Sequence, residues 1–341
     1  VEDIIASSDS LLADSLVSEP NFSMSLFNVS FGLGSGSITP NWISNQLFGG
    51  KDLRNAQQRK DFLKGLSNDI NIQVPVFSSL PLINFSFGSN VVSLGQVVSY
   101  TSVNIPSGLA QVPFIGLEKG KELNISSLEV EHITYLPISY SKGFILKPGI
   151  IPFGQKSFAG LRANLLIGLA EVHTESVRGK LQGTDANTLI DADIELGASL
   201  PVSIDDFIPK GSFPVGLSFD LGIITEIDDK LTVGTSIDNI FASFKWSGAT
   251  VYTASVLGEL TPEEIAEADS ITNLLNQSEV KESSSYKTSL PTSINISGTY
   301  KAVEWVTLDA NIRIDFGKSY WASSTPLISL GSEFYPNSKS P

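Results

Sequence analysis

Apolar and polar residues trade places one for one along much of this chain, most clearly in Val306-Thr307-Leu308-Asp309-Ala310-Asn311-Ile312-Arg313-Ile314-Asp315-Phe316. Successive side chains of a strand point to opposite faces. Val306, Leu308, Ala310, Ile312, Ile314 and Phe316 therefore share one face, and Thr307, Asp309, Asn311, Arg313 and Asp315 share the other. The same period of two returns from Ile190 to Leu196, from Leu217 to Ile223 and from Leu231 to Asp238. A soluble sandwich would turn the apolar faces inward. A transmembrane barrel turns them outward to lipid and keeps the polar ones in its lumen.

The pattern divides the chain into an acidic, non-alternating segment over residues 1–20, expected to be a plug or lead-in, and a β-barrel over residues 21–341. The first alternating run, Phe22 to Leu33, slips phase between Leu26 and Phe27, as a β-bulge would make it do. Between Gly49-Gly50 and Gly65, good helix formers carrying Lys51, Arg54, Arg59, Lys60 and Lys64 predict a helical insertion near residues 50–66 with a basic face. From residue 70 to 256 strand-like runs follow one another. Gly88-Ser89-Asn90 marks a turn between them, and Asp228-Asp229 marks a tight hairpin. Residues 257–290 read as a long connection. Thr261 as N-cap, Pro262 at the first helical position and Glu263 and Glu264 in the first turn predict a helix over 261–277 within it. Strands resume at Ile294, at residues 305–316 and at Ile328. The count is about 14 antiparallel strands, an all-β fold. The turn-like Ser338-Lys339-Ser340-Pro341 suggests that closing strands are missing after residue 341.

Composition shifts the balance toward the barrel. Charged residues make up 17% of the chain, against roughly 25% in soluble globular proteins. A net charge of -14 argues against nucleic acid as a partner. The absence of Cys excludes disulfides and thiolate metal sites. No run of about 18 apolar residues could form a membrane helix.

Asp191, Asp193 and Glu195 alternate along one predicted strand, so their carboxylates share a face. The spacing resembles the opening of a calcium loop, but Leu196 stands where that loop needs Gly. A lumen stripe facing water, or facing Arg162 on a neighbouring strand, is the better reading. With Asp220, Asp309, Asn311, Arg313 and Asp315 these residues form the candidate lumen-facing polar set. Trp246, Tyr252, Tyr300, Trp305, Tyr320, Trp321 and Tyr335 cluster near the ends of runs, where outer-membrane barrels carry interfacial girdles. The two histidines, His132 and His173, each lie among carboxylates, near Glu131 and Glu175. No G-x-S-x-G elbow accompanies them, and the glycines at residues 32, 34 and 36 lack the spacing of a nucleotide-binding loop. No catalytic residue, metal or cofactor is expected, and the chain does not read as an enzyme.

Residues Pro214 to Gly222, Leu231 to Gly234, Ile237-Asp238-Asn239-Ile240 and Lys245-Trp246, with Leu290-Pro291-Thr292, Gly298-Thr299-Tyr300 and Leu327 to Phe334, form a pattern that resembles the FadL-like and PorV-like outer-membrane barrels of Bacteroidetes and related phyla. The resemblance runs from about residue 20 onward. It implies a barrel of about 14 strands with an N-terminal plug, in a bacterial outer membrane and in contact with its lipid and lipopolysaccharide. The leading implied role is a channel for small hydrophobic compounds. The alternative is a non-transporting barrel that anchors or docks envelope, secretion or surface proteins. Where those families carry Asn-Pro-Ala after the plug, this chain has Glu19-Pro20-Asn21-Phe22. No ligand-binding residue is carried over.

Overall fold

The computed structural model describes residues 21–25, 28–31, 34–35, 44, 57–58, 61, 70–109, 112, 116–185, 187–200, 213–261, 275–282, 285–317 and 326–334. They form one antiparallel sheet of seventeen strand segments. In chain order these are β1 (Asn21–Ser25), β2 (Asn28–Phe31), β3 (Gly34–Ser35), β4 (Ile70–Phe87), β5 (Asn90–Ile105), β6 (Glu122–Asn124), β7 (Glu129–Ile145), β8 (Lys156–Gly183) and β9 (Thr188–Ser199). They continue as β10 (Val215–Glu226), β11 (Leu231–Trp246), β12 (Thr250–Leu260), β13 (Leu275–Glu282), β14 (Tyr286–Ser289), β15 (Thr292–Val303), β16 (Val306–Phe316) and β17 (Leu327–Phe334).

Register shows that many segments are pieces of one strand. β1, β2 and β3 all pair with β4. β6 and β7 run along opposite halves of β8 on one side, and β9 and β10 do so on the other. β11 and β12 line β10 and β9, while β13, β14 and β15 line β12 and β11. These five composite paths, with the single strands β4, β5, β8, β16 and β17, make ten among the described residues. About 14 were expected. That figure lies between the ten paths and the seventeen segments, because breaks in pairing divide several paths into more than one ladder.

The ten paths form an up-and-down meander with unequal ends. The connections 88–89, 146–155, 227–230 and 304–305 lie at one end, and 36–69, 106–121, 184–187, 261–274 and 317–326 at the other. Short turns on one side and longer loops on the other are the habit of outer-membrane barrels. The 227–230 turn is the predicted hairpin. Asp228 Oδ1 accepts from the amides of Lys230 and Leu231, both at 2.8 Å, which holds its carboxyl below the usual carboxylate range. Most of the predicted 50–66 helix lies outside the described residues, although Gln57, Gln58 and Asp61 are helical. The 261–277 helix is corrected at its end: residues 275–277 open β13, held by the ladder to β12.

The sheet is rolled. Arg313 of β16 donates from Nη1 to the Tyr100 hydroxyl of β5 at 2.9 Å, although β15, β11, β10, β8 and β7 stand between them in the sheet. Phe244 of β11 likewise meets Tyr135 of β7 with ring centroids 5.5 Å apart. Among the described residues no ladder joins β17 to β1, β2 or β3.

Candidate functional site

The rolled sheet is polarised in the opposite sense to a soluble core. On β10, Val215, Leu217, Phe219 and Leu221 point outward and are exposed, Leu217 at 59%, whereas Gly216, Ser218 and Asp220 are buried, Asp220 at 6% exposure. Leu161 and Leu165 of β8, Ile138 and Tyr140 of β7, Ile296 of β15 and Leu308 and Ile312 of β16 repeat the outward apolar pattern. The convex face changes character at a definite level. Thr101 and Ser99 on β5 meet His132 and Thr134 on β7 there through a hydrogen-bonded row. At the matching height Lys245 of β11 faces Lys287 of β14, both exposed. The apolar stretch of β10 therefore runs from about Val215 to Thr225. Ten residues at ~3.3 Å, inclined by about 40°, cover roughly 25 Å in height, the depth of a lipid-facing barrel belt.

Inside, four layers succeed one another from the short-turn end. First comes a cavity of about 600 Å³ walled by small residues, among them Ser141, Gly143, Gly160, Gly222, Gly234 and Ser236. Gly143, Gly160 and Gly222 are directly paired across β7, β8 and β10, which keeps this part of the interior free of side chains. Above it lies a polar network. Asp220 Oδ2 accepts from Arg162 Nε at 2.7 Å and from Asn164 Nδ2 at 2.8 Å, and its Oδ1 accepts from the Asn239 amide. Ser139 donates to Asn164 Oδ1, and Asn164 donates to Ser218. Asn295 donates to Asp238 beside it.

Next is a dry layer of Val98, Ile133, Tyr135, Leu166, Ala242, Phe244, Trp246 and Leu290, contributed by β5, β7, β8, β11 and the start of β15's path. Full burial of such side chains contributes ~1.5–3 kcal/mol each. Trp246 is 1% exposed, stacks on Tyr286 and donates from Nε1 to Thr288 at 2.7 Å. β11 reaches this layer through two bulges against β10, between Ile237 and Ser243. Asn239 and Phe241 there adopt φ of 60°, a conformation unusual for side chains of this size. The two extra residues cancel in phase, so Ala242, Phe244 and Trp246 point inward on the face that Ser236 and Asp238 also share, and Phe241 points out.

The last layer is charged. His173 Nδ1 donates to the Glu171 carboxylate at 2.9 Å and its Nε2 to Glu175 at 3.0 Å. The Tyr286 hydroxyl donates to Glu171 and lies 2.8 Å from Ser199 Oγ. Glu131, paired with His173 across the β7–β8 ladder, is 2% exposed, and neither of its carboxylate oxygens has a partner. Burial pushes its carboxyl up to about 8, with Glu129 and Glu171 adding to the rise and His173 opposing it. Burial alone would lower His173, but its bonds to Glu171 and Glu175 outweigh that and raise it to about 9. These groups lie above the belt, level with or beyond the His132 row on the convex face.

Residues 17–337 match a family of unknown function, DUF5723. The chain belongs to it. No curated protein and no solved structure matches the sequence. In this DUF5723 chain Asp220, Arg313 and Asp315 are turned inward as the alternation suggested. Arg313 Nε donates to Asp315 at 2.7 Å, and Asp309 accepts from Thr299. Asn311 is half-buried on the same face of β16. Asp191 and Asp193 are exposed. Their cross-strand cations are Lys180 and Arg178 of β8, not Arg162, which register places opposite Asp220. Glu195 is half-buried and accepts from Ser176. Behind this stripe Ile190 and Ala192 pack with Val112, Ile125, Leu181 and Val256, so β9 has a covered apolar face where β10 has a bare one.

The aromatic set divides. Tyr300 and Trp305 are exposed at the short-turn end and Tyr252 is exposed on β12. Trp246 is corrected: it fills the interior and not an interface, because it shares the inward face of β11 with Ser236 and Asp238, and the two bulges between Ile237 and Ser243 cancel in phase. Tyr320, Trp321 and Tyr335 lie outside the described residues. What sequence reasoning missed was the charged layer as a unit. Its signal was present as Glu171-x-His173-x-Glu175, three titratable residues at a period of two, opposite Glu129-x-Glu131.

Proposed function

We propose that this DUF5723 protein is an outer-membrane β-barrel, related to the FadL-like and PorV-like barrels, that serves as an anchored docking barrel for an envelope protein partner. The observation that carries the membrane reading is the inverted polarity of β10 and its neighbours: bare Leu217, Phe219 and Leu221 outside, Ser218 and Asp220 inside. Water would leave those leucines uncompensated, whereas lipid rewards them. The unequal ends support the same reading, and closure of β17 against β1, β2 and β3 is part of it.

Docking is favoured over passage of small hydrophobic compounds by the filled interior. A hydrophobic solute entering from the short-turn end would meet Arg162 and Asp220 and then the packed layer of Trp246, Phe244, Ile133 and Leu166. The connections 36–69 and 106–121, both longer than 15 residues, leave from one end together with 261–274, and connections of that length usually carry function. We assign the partner-binding surface to that end, on 36–69 and 261–274.

The test is in two parts. Membrane-extracted full-length protein should run faster unboiled than boiled. In vesicles it should release no entrapped fluorescent fatty acid analogue, while a stoichiometric envelope protein should copurify with it and be lost on deleting 36–69 or 261–274. A soluble protein with no heat shift would end the membrane reading, and rapid analogue release would restore the channel.

A further inference from the structure

We infer that Glu131, Glu171 and His173 form a proton-controlled latch that, through Tyr286, holds Trp246 in place as the stopper of the barrel interior. The contacts run without a gap. Glu171 accepts from His173 and from the Tyr286 hydroxyl, Tyr286 packs on His173 at 4.9 Å and stacks on Trp246 at 6.3 Å, and Trp246 leans on Phe244 at 6.0 Å. Phe244 in turn meets Tyr135 across the interior. β14 is only four residues long and pairs with the end of β11 alone. Among the described residues its hold on β8 rests on Tyr286, through the hydroxyl bond to Glu171 and the ring contact with His173.

The titratable groups facing this point are Glu129 and Glu131 from β7, Glu171, His173 and Glu175 from β8, and Tyr286 from β14. The carboxylates outnumber the single imidazolium. Gly197 of β9 leaves room for the His173 ring, since a Cβ there would come within 2.7 Å of its Cε1. That fixes the imidazole between its two acids. With Glu131 neutral and His173 charged, the buried layer is close to balanced. Removing both protons leaves Glu131 and Glu171 ionised and buried side by side with no counter-charge, a state that burial strongly disfavours. The least costly relief is to part Glu171 from Tyr286 and admit water, which uncovers Trp246. The latch is shut at neutral and acidic pH and opens as pH rises through about 8 to 9.

The latch stands on interior contacts alone, so its failure would leave the docking and membrane reading untouched. Trp246 can be isolated spectroscopically in the full chain by Trp42→Phe, Trp305→Phe and Trp321→Phe. Acrylamide quenching of Trp246 in detergent micelles should stay low from pH 6 to 7.5 and rise several-fold by pH 10. Glu131→Gln, an uncharged isostere of the protonated acid, should move the rise to higher pH. Tyr286→Phe, which keeps the ring and loses the hydroxyl, should give raised quenching at pH 7 with little further pH dependence. Strand circular dichroism establishes that each variant is folded. Quenching that stays flat to pH 10 in the parent, or a rise with the same midpoint in Glu131→Gln and Tyr286→Phe as in the parent, overturns the latch.

Discussion

Leu221→Arg is the substitution that separates the two possible meanings of an outward apolar face. Leu221 is 41% exposed on the convex side of β10. It lies six residues from Val215 and four from Thr225, close to the middle of a belt about 25 Å deep. In lipid an arginine at mid-depth of a barrel costs ~2–4 kcal/mol, falling to ~0–1 kcal/mol near either edge. In water the same replacement at a part-exposed site should stay within ~0.5 kcal/mol. The assay is reversible urea unfolding of the full chain folded into phospholipid vesicles, comparing Leu221→Arg and Phe219→Arg with Val215→Arg and Ser243→Arg near the edge of the belt. A loss of about 3 kcal/mol at the first two and of no more than about 1 kcal/mol at the others is expected. Four values within about 0.5 kcal/mol of the parent would refute the bilayer depth profile and the barrel reading with it.

Three further outcomes follow from the interior. Trp246→Ala empties the largest fully buried side chain and orphans Thr288, so a loss of ~3–5 kcal/mol is expected in the same unfolding assay. Asn164→Ala removes bonds to Ser139, Ser218 and Asp220 and should cost ~2–4 kcal/mol; the double variant with Asp220→Asn should recover part of it, because no buried carboxylate is left short of donors. Stability should also fall as pH rises. Glu131, raised from 4.5 to about 8, binds a proton in the folded state that the unfolded chain lacks between those values. The contribution of His173, raised from 6.5 to about 9, is complete below 6.5 and lost through 9. Both slopes have the same sign, so the urea midpoint measured at pH 6 should exceed that at pH 9, and by less in Glu131→Gln.

Much of the outer and inner lining could be read from alternation alone. β10 and β16 carry their inward acids and outward leucines where a period of two puts them, because a regular strand offers no other choice. The reading failed where it relied on position within a run or on a neighbour across the sheet. Trp246 was assigned to an interface because it closes an alternating run, although the period of two from Ser236 and Asp238 carries it to the inward face. The partner of the Asp191 stripe was missed because residues 200–214 separate β9 from β10, and β8 pairs one half with each. Register across a ladder is set by contacts between distant segments, and no single run of sequence contains it.

By itself, then, the sequence determined a two-faced all-β chain, its hairpin at Asp228, and the identity of Asp220, Arg313 and Asp315 as polar-face residues, since these depend on local backbone geometry and side-chain polarity. Only the tertiary structure decided that the polar face is the concave one, that the described strand segments join into ten paths, and that Trp246, Tyr286, Glu171, His173 and Glu131 meet in one place. Those features arise from rolling and from register. Rolling and register bring together side chains that are far apart along the chain, such as Arg313 and Tyr100, and an energy shared between such residues leaves no pattern in either one's neighbours.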